Sequence, residues 1–272
     1  MTEPVLCAVD LTSLSDGTVR FAAVLARLIG SPVTLLHIRE RGDSPDAAAR
    51  LAALARAAGE AGLVVTTESA PGDPAEVIVR RATSLRATAV VMGTHGGSGF
   101  ERLMLGSVAE RVLHHASRPV ATLRGPAHAG GPIRKVLCGA DFADLAPLRY
   151  AARIAQKAEA ELVVVHAVPE LPEPGRRSLV PPSYAPALLE EARRELEREI
   201  ATLGAPAGRV RECVVPGPAP RALLRCAVDE AADLLVVGVH PHVLGSTTHP
   251  VVRGAACPVL TVPAEAGGRE LP

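Results

Sequence analysis

The chain has little aromatic content: Phe, Trp and Tyr make up 2% of its 272 residues, and tryptophan is absent. It carries no net charge, because 29 Lys and Arg balance 29 Asp and Glu. A balanced chain lacks the electrostatic footprint of a nucleic-acid or membrane-surface binder. No apolar run approaches the ~18 residues that a membrane span needs. The opening MTEPVLCAVD has no basic stretch leading into a long apolar one, so no signal peptide is expected. The five cysteines form no C-x-x-C pair, and their number and placement fit a reduced, cytoplasmic location. Cys7, Cys138 and Cys213 sit in strand-like runs, where a free thiol behaves as a small hydrophobe.

What is abundant is Ala, Val and Leu, within a hydrophobic share of 48%. That composition suits α/β proteins whose strands are covered on both faces. The length favours two compact domains, and the chain repeats itself once. Val5-Leu6-Cys7-Ala8-Val9-Asp10 returns as Val136-Leu137-Cys138-Gly139-Ala140-Asp141, and Leu35-Leu36-His37 as Val164-Val165-His166. Residues 106–123 and 245–262 align without gaps and share 7 of 18 identities. The repeats keep their order, as a domain duplication requires. The expected division is a first domain at 1–125, a Gly/Pro-rich linker at 126–132, a second domain at 133–264 and a tail at 265–272.

Each half alternates apolar strands with helical stretches. The first places strands near 4–10, 32–38, 63–69, 88–93 and 119–124, with helices near 15–29, 46–61, 74–86 and 107–116. The second repeats this, with a helix near 187–203 behind a Pro-rich loop. Such alternation implies two tandem doubly wound domains, each a five-stranded parallel sheet flanked by helices. In such sheets ligands bind at the carboxyl ends of the strands, at the topological switch point. That rule selects Asp10, after the first strand, and the loop beginning at Met92-Gly93 after the fourth. This loop runs through Gly96 to Gly106-Ser107-Val108, where a helix opens. Glycines let a backbone approach an anion closely, and a helix N-terminus adds unpaired N–H donors. There is no G-x-x-x-x-G-K-[ST] and no G-x-G-x-x-G after the first strand, which excludes the commoner phosphate loops.

A first-strand Asp, a Leu-Leu-His-Ile second strand and G-x2-G-x9-G-[ST]-V resemble the universal stress protein family, over essentially both halves. The resemblance implies an adenine nucleotide alpha hydrolase-like, Rossmann-like fold and an ATP site in the first half. Under it, Asp10 binds the adenosine part and Ala8 and Ile38 line the adenine pocket. Met92, Gly93, Gly96, Gly106, Ser107 and Val108 contact ribose and phosphates. Mg2+ could accompany the phosphates, although the motif offers no carboxylate cage. The resemblance also implies pairing through the fifth strands, so Pro119–Leu123 and Pro258–Val262 would join the halves as an intramolecular pseudo-dimer. A homodimer of the whole chain stays open.

The second half departs from the pattern. Pro241 replaces the second glycine, removing a donor, and only His242, Val243 and Leu244 separate it from Gly245. Pro250 and Gly254 interrupt the following helix, and Ala167 replaces Ile38. A degenerate copy is expected, giving one nucleotide per chain. Simpler readings stand beside these. Asp10 could cap a helix, with Thr12, Ser13, Ser15 and Asp16 following, and His37 and His166 suit structural hydrogen bonds. His240, His242, His249 and Cys257 fit no standard zinc spacing. Three functions follow: an ATP-binding, nucleotide-dependent stress-response regulator with an unidentified signalling partner, a nucleotide-free scaffold, or a slow ATPase. No catalytic residue stands out.

Overall fold

The computed structural model describes residues 3–39, 45–60, 62–94, 105–125, 130–168, 184–203, 209–239 and 245–264. The first half contains β1 (Val5–Val9), α1 (Ser15–Ile29), β2 (Val33–Arg39), α2 (Ala47–Gly59), β3 (Val65–Pro71), α3 (Pro74–Ser84), β4 (Ala89–Gly93), α4 (Ser107–His115) and β5 (Val120–Leu123). The second contains β6 (Lys135–Gly139), α5 (Ala146–Ala158), β7 (Glu161–Val168), α6 (Tyr184–Ala201), β8 (Val210–Pro216), α7 (Ala219–Asp229), β9 (Leu234–Val239), α8 (Thr248–Gly254) and β10 (Val259–Pro263).

Local chemistry sets these limits. Gly30 ends α1 in the left-handed region at φ 74°, which costs a residue without Cβ nothing. Asp73 caps α3, its Oδ1 accepting the Glu76 N–H at 3.0 Å, and Pro74 opens the helix. Every residue of β1 is buried, as a strand covered by helices on both faces must be.

The two five-stranded sheets expected from the sequence fuse into one. Its order is β3-β2-β1-β4-β5-β10-β9-β6-β7-β8, and every neighbouring pair is parallel except β5 with β10. The antiparallel seam sets Leu260 opposite Ala121, flanked by Val259 opposite Thr122 and Thr261 opposite Val120. The Thr122 hydroxyl donates to the Val259 carbonyl at 3.3 Å, and the Thr261 hydroxyl to the Val120 carbonyl at 3.1 Å. This reciprocity gives the seam a local pseudo-two-fold centred on Leu260 and Ala121. The halves also meet where the buried Tyr150 hydroxyl donates to the Thr88 carbonyl at 3.3 Å. One apolar layer lies on each sheet face, and both layers draw residues from both halves.

The duplication extends to unusual backbone. Leu11 (φ 60°) and Phe142 (φ 63°) adopt left-handed conformations after β1 and β6, and Arg86 (φ 51°) and Ala231 (φ 49°) do so before β4 and β9. Glu159 ends α5 at φ 52°, where α1 uses Gly30. A side chain in that conformation costs about 1 kcal/mol or more. Its ion pair with Arg209, 3.9 Å long and exposed, contributes little. Glu159→Gly should therefore stabilise the protein by about 1 kcal/mol, read as a raised urea midpoint with unchanged slope.

Candidate functional site

The strand order puts the switch point between β1 and β4: β2 and β3 lie to one side, β5 to the other. Register sets Ala8 beside Met92 and beside Leu36. Ala8, Ile38 and Met92 are buried in the apolar layer beneath α3 and α4, with Leu105 and Ala109. Val108 and Ala70 pack against that layer from its half-buried rim. Ala8, Ile38, Met92 and Val108, from four separate stretches of sequence, thus belong to one apolar layer, in which Ala8 and Met92 are register partners.

Gly93 ends β4, and the next residue, Thr94, is buried. Its N–H donates to the Leu123 carbonyl at 3.0 Å and its hydroxyl to the same oxygen at 3.2 Å. The Thr94 carbonyl in turn accepts the Gly106 N–H at 2.8 Å. This clasp closes the base of the glycine-rich loop, whose residues 95–104, Gly96 included, lie outside the described residues. Sequence reasoning singled out the glycines and passed over Thr94, because a threonine after a strand carries no signal without its partners. The Gly106 N–H is committed to the clasp. The donors left without a partner within α4 are those of Ser107, Val108 and Ala109, because the first bond of the helix runs from the Glu110 N–H to the Gly106 carbonyl. Gly106 is the N-cap and has no side chain to satisfy them.

Asp10 follows β1 and is exposed. Its Oδ1 accepts hydrogen bonds from the Thr12 N–H at 3.0 Å, the Thr12 hydroxyl at 2.8 Å and the Ser15 hydroxyl at 2.8 Å. The carboxylate therefore orders the turn before α1 but does not cap that helix, whose N-cap is Leu14 with no side-chain cap hydrogen bond. Arg50 of α2 reaches the same turn, donating to the Thr12 carbonyl at 3.0 Å; nothing in its sequence context marked it. Near the first turn of α3, Arg111 pairs with Asp73 at 2.8 Å. The Arg111 hydrogen bond, then that from the Glu76 N–H, hold the Asp73 carboxyl below its usual range.

His37 Nδ1 lies 3.1 Å from the Val9 carbonyl, and His166 Nδ1 lies 2.8 Å from the Ala140 carbonyl. Both histidines tie the second strand of their half to the end of the first. In the second half, Phe142 stacks on His166 with ring centroids 4.0 Å apart. Gly139 stands in the place of Ala8, and a Cβ there would lie 3.1 Å from Leu223, so Leu223 fills that wall. Helix α8 begins at Thr248, two residues beyond the equivalent of Ser107, and has 7 residues against the 9 of α4. His240 and His242 lie outside the described residues, and His249 faces Glu110 at 4.0 Å. Among the described residues no helix is long and apolar enough to cross a membrane.

The model of the Universal stress protein family matches residues 1–124 and again 132–263. A universal stress protein of Mycolicibacterium smegmatis is 28% identical over 291 aligned residues, covering 95% of this chain and 96% of its own. One from Methanocaldococcus jannaschii is 46% identical over 67 residues, which are 25% of this chain and 39% of that relative. The crystal structure of a universal stress protein from Archaeoglobus fulgidus superposes with a TM-score of 0.73 at 20% identity, covering 97% of this chain and 99% of that one. With both halves matched in tandem, the chain belongs to the universal stress protein family.

Proposed function

We propose that the first half binds one adenine nucleotide, ATP, and that the protein acts as a nucleotide-dependent regulator in the stress response. The observation that carries this reading is the convergence at the switch point. The apolar layer that holds Ala8, Ile38 and Met92 also holds Val108, in the first turn of α4, where no side chain caps the helix. That layer suits a planar base, and the helix terminus suits phosphate oxygens. Asp10, Gly93, Gly96 and Gly106 complete the proposed contacts, with Asp10 facing the ribose and Mg2+ travelling with the phosphates. The domain at 133–264 is read as a copy that supports the first through the β5–β10 seam without a phosphate cradle of its own. The arrangement supplies binding rather than chemistry, since no base for an attacking water is evident among the described residues.

A nucleotide-free scaffold is the second reading. Its support is Asp10, whose Oδ1 already serves three donors. Calorimetric titration of ATP into nucleotide-free full-length protein separates the two. One molecule per chain is expected, with Asp10→Asn weakening binding less than Asp10→Ala, because Asn keeps an oxygen for Thr12 and Ser15. No measurable heat or binding with any adenine nucleotide would leave the scaffold.

A further inference from the structure

A cavity of about 270 Å³ opens in the second half between α5, the end of α6 and the start of β8. It lies at the amino ends of the strands, since Leu162 is the second residue of β7 and Val210 the first of β8. Its floor is apolar, with Ala155 and Leu162 buried and Leu203 and Val210 half-buried. These residues belong to the layer on the sheet face opposite that of Ala8, Ile38 and Met92. Three arginines line the cavity around that floor: Arg149 and Arg153 from α5, and Arg209 from the residue before β8. Among the described residues no carboxylate lines it.

The duplication supplies an internal comparison. β7 registers on β8 through Leu162 opposite Val210, as β2 does on β3 through Val33 opposite Val65. Helices α1 and α5 both end in a left-handed residue, Gly30 and Glu159, three positions before Val33 and Leu162. Counted from these fixed points, Arg153 stands where α1 has Val24, and Arg209 where the first half has Val64. Arg149 takes the place of Arg20. In the first half Val24 packs against the apolar layer, as does Leu63. The second half has thus exchanged two valines for cations around one cavity. Grouping them is unfavourable in itself. Arg149 and Arg153 are four apart on one helix face, where like charges repel, and Arg149 lies near the amino end of α5, where the dipole disfavours a cation. Arg209 pairs with Glu159 at 3.9 Å, an exposed contact that water screens.

We propose that this cavity is a second ligand site, which takes a small organic phosphate monoester. The phosphate group sits among the guanidinium groups of Arg149, Arg153 and Arg209, and the apolar body of the ligand rests on Leu162 and Leu203. Guanidinium forks match phosphate oxygens in pairs. Three cations exceed what a single carboxylate neutralises, whereas a phosphate monoester carries about −1.5 to −2 charges at pH 7. The floor adds what charge alone does not supply, burial of an apolar group. The volume falls just below the roughly 300–1,000 Å³ of pockets for drug-sized ligands. It therefore admits one ring or a short chain rather than a whole nucleoside triphosphate.

The site is independent of the nucleotide reading, because it lies on the other sheet face and at the other end of the strands. The test uses the full-length chain and phenyl phosphate as the probe, followed by ligand-observed NMR. Saturable binding of one molecule per chain is expected, weakening as salt is added. Arg153→Val and Arg209→Val restore the residues of the first half, and each should lower the affinity by about tenfold or more, as loss of a charge-assisted contact requires. Calorimetric titration of ATP into the same variants should match the wild type. Arg149→Gln, at an exposed position, should weaken the probe in the same direction, and it carries the test if a valine variant shows a lowered urea midpoint. The proposal is overturned if phenyl phosphate does not saturate, or if the folded arginine variants bind it as tightly as the wild type. It is equally overturned if inorganic phosphate binds as tightly as phenyl phosphate, which would leave the apolar floor without a role.

Discussion

Gly106→Val should lower ATP affinity by more than about tenfold, a loss above about 1.4 kcal/mol, while the unfolding midpoint of the nucleotide-free protein holds. The second half of that expectation comes from the backbone. Gly106 has φ −64° and ψ 142°, an extended conformation that a β-branched residue adopts readily. Its N–H can still donate to the Thr94 carbonyl, so the clasp at the base of the loop survives. The loss would come from two γ-methyls added at the N-cap of α4, beside the first-turn N–H groups that no side chain caps. Phosphate oxygens that need those donors meet apolar atoms instead, and each charge-assisted bond lost is a large one. Isothermal titration calorimetry, with thermal melts of the apo protein beside it, reads both quantities. Unchanged affinity would move the phosphates away from α4. If Val lowers both affinity and midpoint, Gly106→Ala, which adds a single methyl, separates blockade from misfolding.

Leu260→Asp should cost at least about 4 kcal/mol. Leu260 is 1% exposed and stands opposite Ala121 at the centre of the β5–β10 seam. Removing the side chain forfeits its burial, and the carboxylate that replaces it has no cationic partner in an apolar layer. A domain of ordinary stability has roughly 5–15 kcal/mol in total, so the variant should fold poorly and unfold at far lower urea. Thr122→Val is the informative contrast. It keeps shape and burial while removing the hydroxyl bond to the Val259 carbonyl, a change of about 1 kcal/mol. Comparable losses in the two variants would show that the seam depends on the threonine hydroxyls rather than on burial.

The strand and helix positions were legible because they rest on local chemistry. β1 and β4 read as continuous apolar runs and are buried throughout, apart from the half-buried Gly93 that ends β4. The Gly30 terminus and the Asp73-Pro74 start lie where their caps require. The resemblance pointed to the fifth strands as the joining edges, yet it gave no register. It also set Asp10 against a nucleotide, whereas the folded chain first uses that carboxylate to hold Thr12 and Ser15. Residues 95–104, which contain the rest of the glycine motif, fall outside what the structure describes.

By itself the sequence determined the duplication, the alternation of strands and helices, and the break in the second glycine loop, since periodicity, caps and missing donors are written residue by residue. Only the tertiary structure decided the register in which β5 meets β10, that Thr94 clasps Gly106, and that Arg81 of α3 bridges to Glu68 of β3. These depend on which side chains face one another across elements far apart in the chain. Facing is set by packing and register, which no local pattern encodes.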